Sequence, residues 1–447
     1  MNTLTLKRRV ISLASPAALK QLLDIVQLLI DMLMVGTLGI AALAAVGLSM
    51  QFMMLIQTLM GLYVVGGSAV ISRYIGSGRV KRAGSVAYVA LLMALALSLI
   101  ITAMGYYGSE SFFRLMGSDV EVVQMGSLYF GTLSLGMILI FMDTLAFTVL
   151  SAAGDTKSSL YIKIFSATLH AGLNYMFIFG HGGFEAMGIV GAAYATLCAY
   201  GFSLLVYAWL FYRAKKIRII PIFHWSDVKR IVTIGFPAVA ERFIGISAFL
   251  IFVWLIASYG TQALAGYQVG ARIEAFAFMP GFGFSVAAMV LSGQYLGAKQ
   301  KENAYASGLL SVKIAAVFMG SVGVVLVIFP HFLANFFTND LQTIESAVLY
   351  LRLVGATQIP LAVTFVLSGA LRGAGATRLT LRISTTSMWC FRILPAWLVV
   401  HYGMSIMGVY LAMAVETFIK GIWFYRVYRQ RQWLNEKFDM AFGIINA

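Results

Sequence analysis

An apolar stretch from Leu22 to Gly39, LLDIVQLLIDMLMVGTLG, carries three polar side chains, Asp24, Gln27 and Asp31. Separations of three and four residues put all three on one face of a helix, and Lys20 extends that stripe by a turn. A carboxylate in hydrocarbon is costly, so such a face turns toward a cavity or a partner helix and not toward lipid. Lys20 and Asp24 can satisfy each other as a buried structural pair. Asp31 has no basic residue one turn away and reads as a group that handles an ion, because ionisable side chains inside membranes mark ion or substrate pathways. Desolvation disfavours its charged form, which lets it take a proton from one side and release it to the other. Asp24 on the same face penalises charging both acids at once.

Holding this face in place takes many spans. The 447 residues are 60% hydrophobic and 11% charged, whereas a soluble domain is about 25% charged. Mean hydropathy is +0.87. The length accommodates about a dozen helices of ~20 residues with short loops. Twelve apolar runs are expected, roughly 11–36, 44–70, 84–107, 125–150, 159–180, 188–212, 231–258, 264–292, 307–330, 345–371, 379–401 and 407–427. They are too long for strands and lack alternation at period two.

The net charge of +15 comes from 32 basic and 17 acidic residues. Basic residues gather in short loops, with no basic, aromatic-interleaved domain, which excludes nucleic-acid binding. One loop set holds Arg73, Arg79, Lys81, Arg82, Lys157, Arg213, Lys215, Lys216, Arg218, Lys299, Lys301, Arg372 and Arg378. The other holds Arg114 against Glu110, Asp119, Glu121, Glu185, Asp340 and Glu345. The positive-inside rule puts the first set and both termini in the cytoplasm, with the tail of Arg429, Arg431 and Lys437 anchoring at lipid headgroups. Lys7, Arg8 and Arg9 precede an apolar run without a small-residue cleavage site, so an uncleaved first helix is expected. Cys198 and Cys390 lie in apolar runs and imply no disulfide framework.

The chain repeats itself. Pro16 matches Pro237, Gly39 matches Gly260, and Gly154-Asp155-Thr156-Lys157 matches Gly375-Ala376-Thr377-Arg378, each offset being 221, as in 237 − 16. Ser72-Arg73-Tyr74-Ile75-Gly76 likewise matches Gly293-Gln294-Tyr295-Leu296-Gly297. After a one-residue slip, His181 and Gly183 match His401 and Gly403. Two six-helix halves of one fold are therefore expected, both running the same way through the membrane, as in transporters built on parallel repeats. The expected divisions are 1–212, a cytoplasmic linker 213–228, and 229–447. Two such lobes make a cleft able to open to either side, which argues for a transporter over a channel or an enzyme.

Differences between the halves mark where chemistry was placed. Asp24 corresponds to Gly245, Asp31 to Phe252 and Asp143 to Thr364, so the intramembrane acids belong to the first half. The second half has Glu241 where the first has Lys20, and Arg272 with Glu274 in its second run. Glu241 is either a helix-start acid favoured by the macrodipole or a cation-binding group in the cleft. Arg272 and Glu274 either neutralise each other or line the cleft. His170 and Asn174 lie one turn apart in the fifth run, where an Asn is interhelical glue or an ion ligand beside Asp31. Met53, Met54, Phe276, Phe278 and Met279 can line an adaptable apolar pocket between the lobes. The five histidines are scattered, no metal or nucleophile cluster is expected, and no Gly-x4-Gly-Lys-Ser/Thr loop suggests ATP.

Together these segments resemble the multidrug and toxic compound extrusion (MATE) family over essentially the whole chain. The resemblance is carried by Ile30-Asp31-Met32-Leu33-Met34-Val35-Gly36 with Ala42-Leu43-Ala44-Ala45-Val46-Gly47, by Gly154-Asp155-Thr156, and by Asn174 followed by Gly188-Ile189-Val190-Gly191-Ala192-Ala193-Tyr194-Ala195-Thr196. In the second half it is carried by Gly235-Phe236-Pro237-Ala238 with Glu241, Ser292-Gly293-Gln294-Tyr295-Leu296-Gly297-Ala298 and Gly369-Ala370-Leu371-Arg372-Gly373. It implies an all-α membrane protein of twelve helices in two homologous lobes arranged as a V. The implied activity is secondary antiport of cationic or amphipathic drugs and metabolites against protons or sodium.

In some members the coupling site uses a first-helix Asp, a fifth-helix Asn, an Asp four residues later and a sixth-helix Thr, matched here by Asp31, Asn174 and Thr196, with Ile178 at the second Asp position. Others use a seventh-helix Glu, matched by Glu241, and a tenth-helix Asp, where Leu361 stands. The missing carboxylate at Ile178 favours protons over sodium. The expected coupling residues are Asp31, Asn174, Thr196, Asp24 and Asp143, and the expected substrate-binding residues are Glu241, Glu274, Gln27, Met53 and Phe276. No enzymatic activity, cofactor or resident metal is expected, and the protein is expected to act as a monomer among the lipids of the inner membrane. The alternative is a flippase for lipids or lipid-linked saccharides, which would carry more cationic groups in its cleft.

Overall fold

The computed structural model describes residues 3–213 and 216–434, so Lys215 of the linker and Lys437 of the tail lie outside the described residues. Those described are helical, in chain order α1 (Thr3–Gly36), α2 (Ile40–Gly76), α3 (Val80–Leu115), α4 (Val120–Leu135), α5 (Met137–Ala152), α6 (Thr156–Phe179), α7 (Gly188–Tyr212), α8 (Trp225–Ala257), α9 (Thr261–Gly297), α10 (Lys301–Ile328), α11 (Pro330–Asn335), α12 (Leu341–Ala356), α13 (Gln358–Gly373), α14 (Thr377–Ser387), α15 (Leu394–His401) and α16 (Ile406–Arg429). A π-helical turn, Met388–Ile393, joins α14 to α15.

Two of the expected runs are sharply bent. α4 meets α5 at 54° and α12 meets α13 at 56°. With each bent pair, and α14 through α15, taken as one run, twelve long runs result. Ten of them are long and apolar enough to cross a membrane. The remaining two are α1 and α6, the helices that hold Lys20, Asp24, Asp31, Lys163 and His170. Their polar content lowers their hydropathy and also makes them the chemically interesting pair.

The repeat is present in the backbone. The breaks at Gly136 and Thr357 are 357 − 136 = 221 residues apart. Gly154 and Gly375 both turn with φ +85° after their helices, a conformation in which a side chain is strained.

The described chain divides into two compact units, one spanning Leu19–Gly235, the other made of the residues up to Ala18 and from Phe236 onward. These borders differ from the expected 1–212, 213–228 and 229–447. α1 and α8 each begin in one unit and end in the other, changing over beside Pro16 and Pro237. Leu6, Val10, Leu13 and Ala14 at the start of α1 are buried in one core with residues of α9 and α13. Ile231 and Ile234 at the start of α8 are buried in the Leu19–Gly235 unit. The contact there is backbone to backbone: a methyl group on Gly66 would meet Ile231 O at 2.2 Å, and one on Gly235 would meet Leu62 O at 2.0 Å.

The linker region belongs to that same unit. Ile220 N–H donates to Gly84 O, Ser85 Oγ donates to Ile222 O, and Arg82 Nη2 reaches the buried Asp227 carboxylate at 3.0 Å. α8 therefore starts at Trp225, and Glu241 lies sixteen residues inside it, 241 − 225. The expectation of Glu241 as a helix-start acid is corrected: it is far from the free N–H groups of the first turn, where the macrodipole acts.

Candidate functional site

In the Leu19–Gly235 unit, the polar stripe of α1 meets a polar stripe of α6. Lys163, Ser166, His170 and Asn174 follow one another at three- and four-residue steps, share a face of α6, and are all buried. At one end, Asp24 is held between two lysines, Lys163 Nζ at 2.7 Å and Lys20 Nζ at 3.3 Å. Lys163 Nζ also donates to Gln27 Oε1. Asp143 of α5 is buried nearby, accepts a hydrogen bond from Ser203 and feels the charges of both lysines.

The other end is differently furnished. Asp31 Oδ1 accepts a short hydrogen bond from Asn174 Nδ2 and lies 3.4 Å from His170 Nε2. His170 Nε2 is 3.1 Å from Thr196 Oγ1 of α7, and that hydroxyl donates to Ala192 O one turn earlier. His170 Nδ1 and Asn174 Oδ1 are buried without a partner. Among the described residues, no lysine or arginine forms an ion pair with Asp31. One face thus carries two kinds of acid, one matched by cations and one held by neutral groups.

Of the residues expected from sequence, Asp31, Asn174 and Thr196 come together, while Asp24, Gln27 and Asp143 gather around Lys163. Gln27, expected to touch substrate, is engaged by that lysine. The spacing of Lys163 to His170 and Asn174 was a readable signal that sequence reasoning passed over.

The second unit has its own polar groups. Glu241 accepts from Arg372 Nη2 at 3.0 Å, from Thr380 Oγ1 at 2.9 Å and from Ser384 Oγ at 2.7 Å. Glu274 accepts from Tyr350 Oη and forms no ion pair with Arg272, the one basic residue of its own helix. Arg272 is two residues away, and residues so spaced point to different sides of a helix. A third acid, Glu416, is fully buried with Arg392 Nη2 at 2.6 Å, Lys420 Nζ at 2.8 Å and Ser387 Oγ at 2.8 Å. That cluster was missed, although Glu416 and Lys420 stand at a helical i,i+4 spacing within an apolar run. Met53 is half-buried on α2 and Phe276 exposed on α9, in different units. Phe278 instead packs with Phe282 and Phe365.

The family model described as MatE matches residues 16–176 and 237–398, one copy per repeat. The probable multidrug resistance protein NorM of Thermotoga maritima is 29% identical over 418 residues, covering 92% of this chain and 89% of that protein. The uncharacterized transporter YisQ of Bacillus subtilis is 26% identical over 412 residues, covering 91% and 90%. A solved structure described as an outward-facing multidrug resistance MATE family transporter of the MOP superfamily superposes with a TM-score of 0.89 at 24% identity, covering 95% of this chain and 96% of that one. A MATE structure in a bent conformation gives 0.89 at 23% identity, covering 98% and 97%.

Proposed function

The chain belongs to the MatE family as a membrane-embedded, multi-pass transporter, and from that premise we propose that it exports amphipathic or cationic small molecules in exchange for protons by alternating access. The relatives named as multidrug resistance proteins support the substrate class. The observation that carries the coupling is the neutral company of Asp31. Asp24 already has two lysine partners, so adding a proton there would break ion pairs. Asp31 accepts a hydrogen bond from the Asn174 amide and lies 3.4 Å from the His170 imidazole, groups that tolerate either state of a carboxyl.

Taking up a proton removes a charge from α1 and ends the need for the Asn174 N–H donor. The preferred packing of α1 against α6 and α7 then differs between the two states, and such differential interaction is what a two-state exchanger requires. Substrate crossing in the opposite direction is tied to the same change. Glu241 and Glu274 would receive a cationic substrate by giving up partners they hold in this state. In the second unit Arg372, Arg392 and Lys420 are each paired with an acid, so these three are not free to grip phosphate.

Asp31→Asn tests this reading. In liposomes with an imposed proton gradient, the variant should lose gradient-driven export while retaining substrate binding measured by fluorescence or calorimetry. Concentrative export at the wild-type rate would make Asp31 a buried structural acid and send the search for coupling to Glu241 or Asp143.

A further inference from the structure

A sodium ion in a protein is bound by a cluster of oxygen lone pairs, as hard cations are in general. The residues around Asp31 do not offer that cluster. Ile178, 2% exposed, brings no oxygen to the face on which Asn174 stands. Thr196 spends its one hydroxyl hydrogen on Ala192 O, so toward His170 its oxygen is an acceptor. His170 Nε2 must therefore carry a hydrogen. The same nitrogen is 3.4 Å from Asp31 Oδ1, so this N–H stands between the two oxygens a cation would have to bridge. Asn174 directs its N–H at that same carboxylate oxygen. The charged groups nearby, Lys163 two turns before His170 on α6 and Asp24 on α1, are engaged with each other.

We propose that His170 sets which ion this site accepts, by filling with a hydrogen-bond donor the space between Asp31 and Thr196 that sodium would need. The proposal rests on the reading of Asp31 as the coupling group and adds to it the residue that decides ion identity. Two acceptors are left over, His170 Nδ1 and Asn174 Oδ1, both buried and unpartnered. A protonated Asp31 is a donor, and rotation of the amide or the ring supplies it with an acceptor. The same two side chains thus serve the carboxylate as donors and the carboxylic acid as acceptors. Sodium obtains no such service without evicting the His170 N–H.

The test uses full-length protein in liposomes with sodium and proton gradients imposed separately, for wild type, His170→Ala and His170→Gln. A second readout is modification by a hydrophobic carbodiimide, which attacks protonated carboxyls in apolar surroundings. Asp31→Asn assigns the labelled site. Expected is wild-type transport driven by protons alone and labelling of Asp31 that is indifferent to sodium. His170→Ala should gain sodium-driven transport, with sodium slowing Asp31 labelling about tenfold, the scale of one charged hydrogen bond. His170→Gln, which keeps an amide N–H at the same reach, should stay indifferent to sodium. If His170→Ala labels at the wild-type rate without sodium, its pocket is intact; indifference to sodium then overturns the role of His170 and leaves proton coupling standing. Sodium-driven transport by the wild type would overturn both readings.

Discussion

The two repeats place polar groups at corresponding helix positions but treat them differently. In the first, Asp31 faces neutral partners. In the second, the corresponding residue is Phe252, and the Arg392 guanidinium lies 5.8 Å from its ring centroid. Lys20 gives way to Glu241, and Thr196 to Glu416, by the offsets 241 − 20 = 221 and 416 − 196 = 220. Glu416 is then locked by Arg392 and Lys420. One backbone thus holds, in the first repeat, an acid among neutral partners and, in the second, an acid paired with two cations. A buried carboxylate can cycle only where both of its states are tolerated. Two cationic partners make its neutral state expensive, because a proton on the acid leaves them buried and unmatched.

This contrast can be broken from the locked side. Glu416→Gln leaves Arg392 and Lys420 facing a neutral amide, and the loss of stability should be about 3–5 kcal/mol, as for a broken buried pair. A thermal melt in detergent reads it. A shift no larger than that of an exposed substitution would mean Glu416 is not locked, and the contrast with Asp31 would disappear.

A milder effect should come from Glu241→Gln. Its partner Arg372 is 28% exposed, so water recovers part of the loss. Folding should survive, and cation export should fall further than export of neutral compounds if a cationic substrate displaces Arg372 in the transport cycle. Equal losses for both, at matched expression, would reduce Glu241 to the same structural role as Glu416.

The smallest effect lies outside the membrane, at the start of α12. Asp340 caps that helix by accepting from Thr343 N at 2.9 Å and Thr343 Oγ1 at 2.6 Å, and these bonds hold its carboxyl below the usual range. A depressed folded-state value contributes stability above the ordinary carboxylate range and loses it as pH falls through the depressed value. Protection of the first-turn amides of α12 against hydrogen exchange, taken relative to the intrinsic rate at each pH, should therefore fall in acid in the wild type, and Asp340→Ala should remove that dependence while leaving the Asp31 and Glu416 clusters untouched. Protection that stays flat with pH in the wild type would remove this role from Asp340.

Sequence spacing revealed Asp31, Asn174 and Thr196 because each lies in an apolar run, where a polar side chain stands out, and because α-helical periodicity fixes the face it shares. It did not reveal what each acid pairs with. Glu274 finds Tyr350 at 76 residues' distance, and Glu241 finds Arg372 at 131, separations that no helical period encodes. The bends at Gly136 and Thr357 were equally hidden, since each sits inside a run whose hydropathy continues unbroken on both sides. Lys163 was passed over for the same reason: its partner Asp24 lies on α1, 139 residues earlier (163 − 24), and nothing in its local sequence names it.

The exchange of first turns between the units has a consequence for how the protein is made. As the chain leaves the ribosome, the opening turns of α1, with Val10 and Leu13, emerge well before α9 and α13, whose residues belong to the core that buries them. They must wait, apolar and unmatched, until more than half of the chain has followed. The first unit is likewise unfinished when α7 ends, because Ile231 and Gly235 of α8 still have to close against α2. Neither repeat is a self-sufficient folding module, and a gene cut at the linker would produce two fragments, each missing a piece that the other carries.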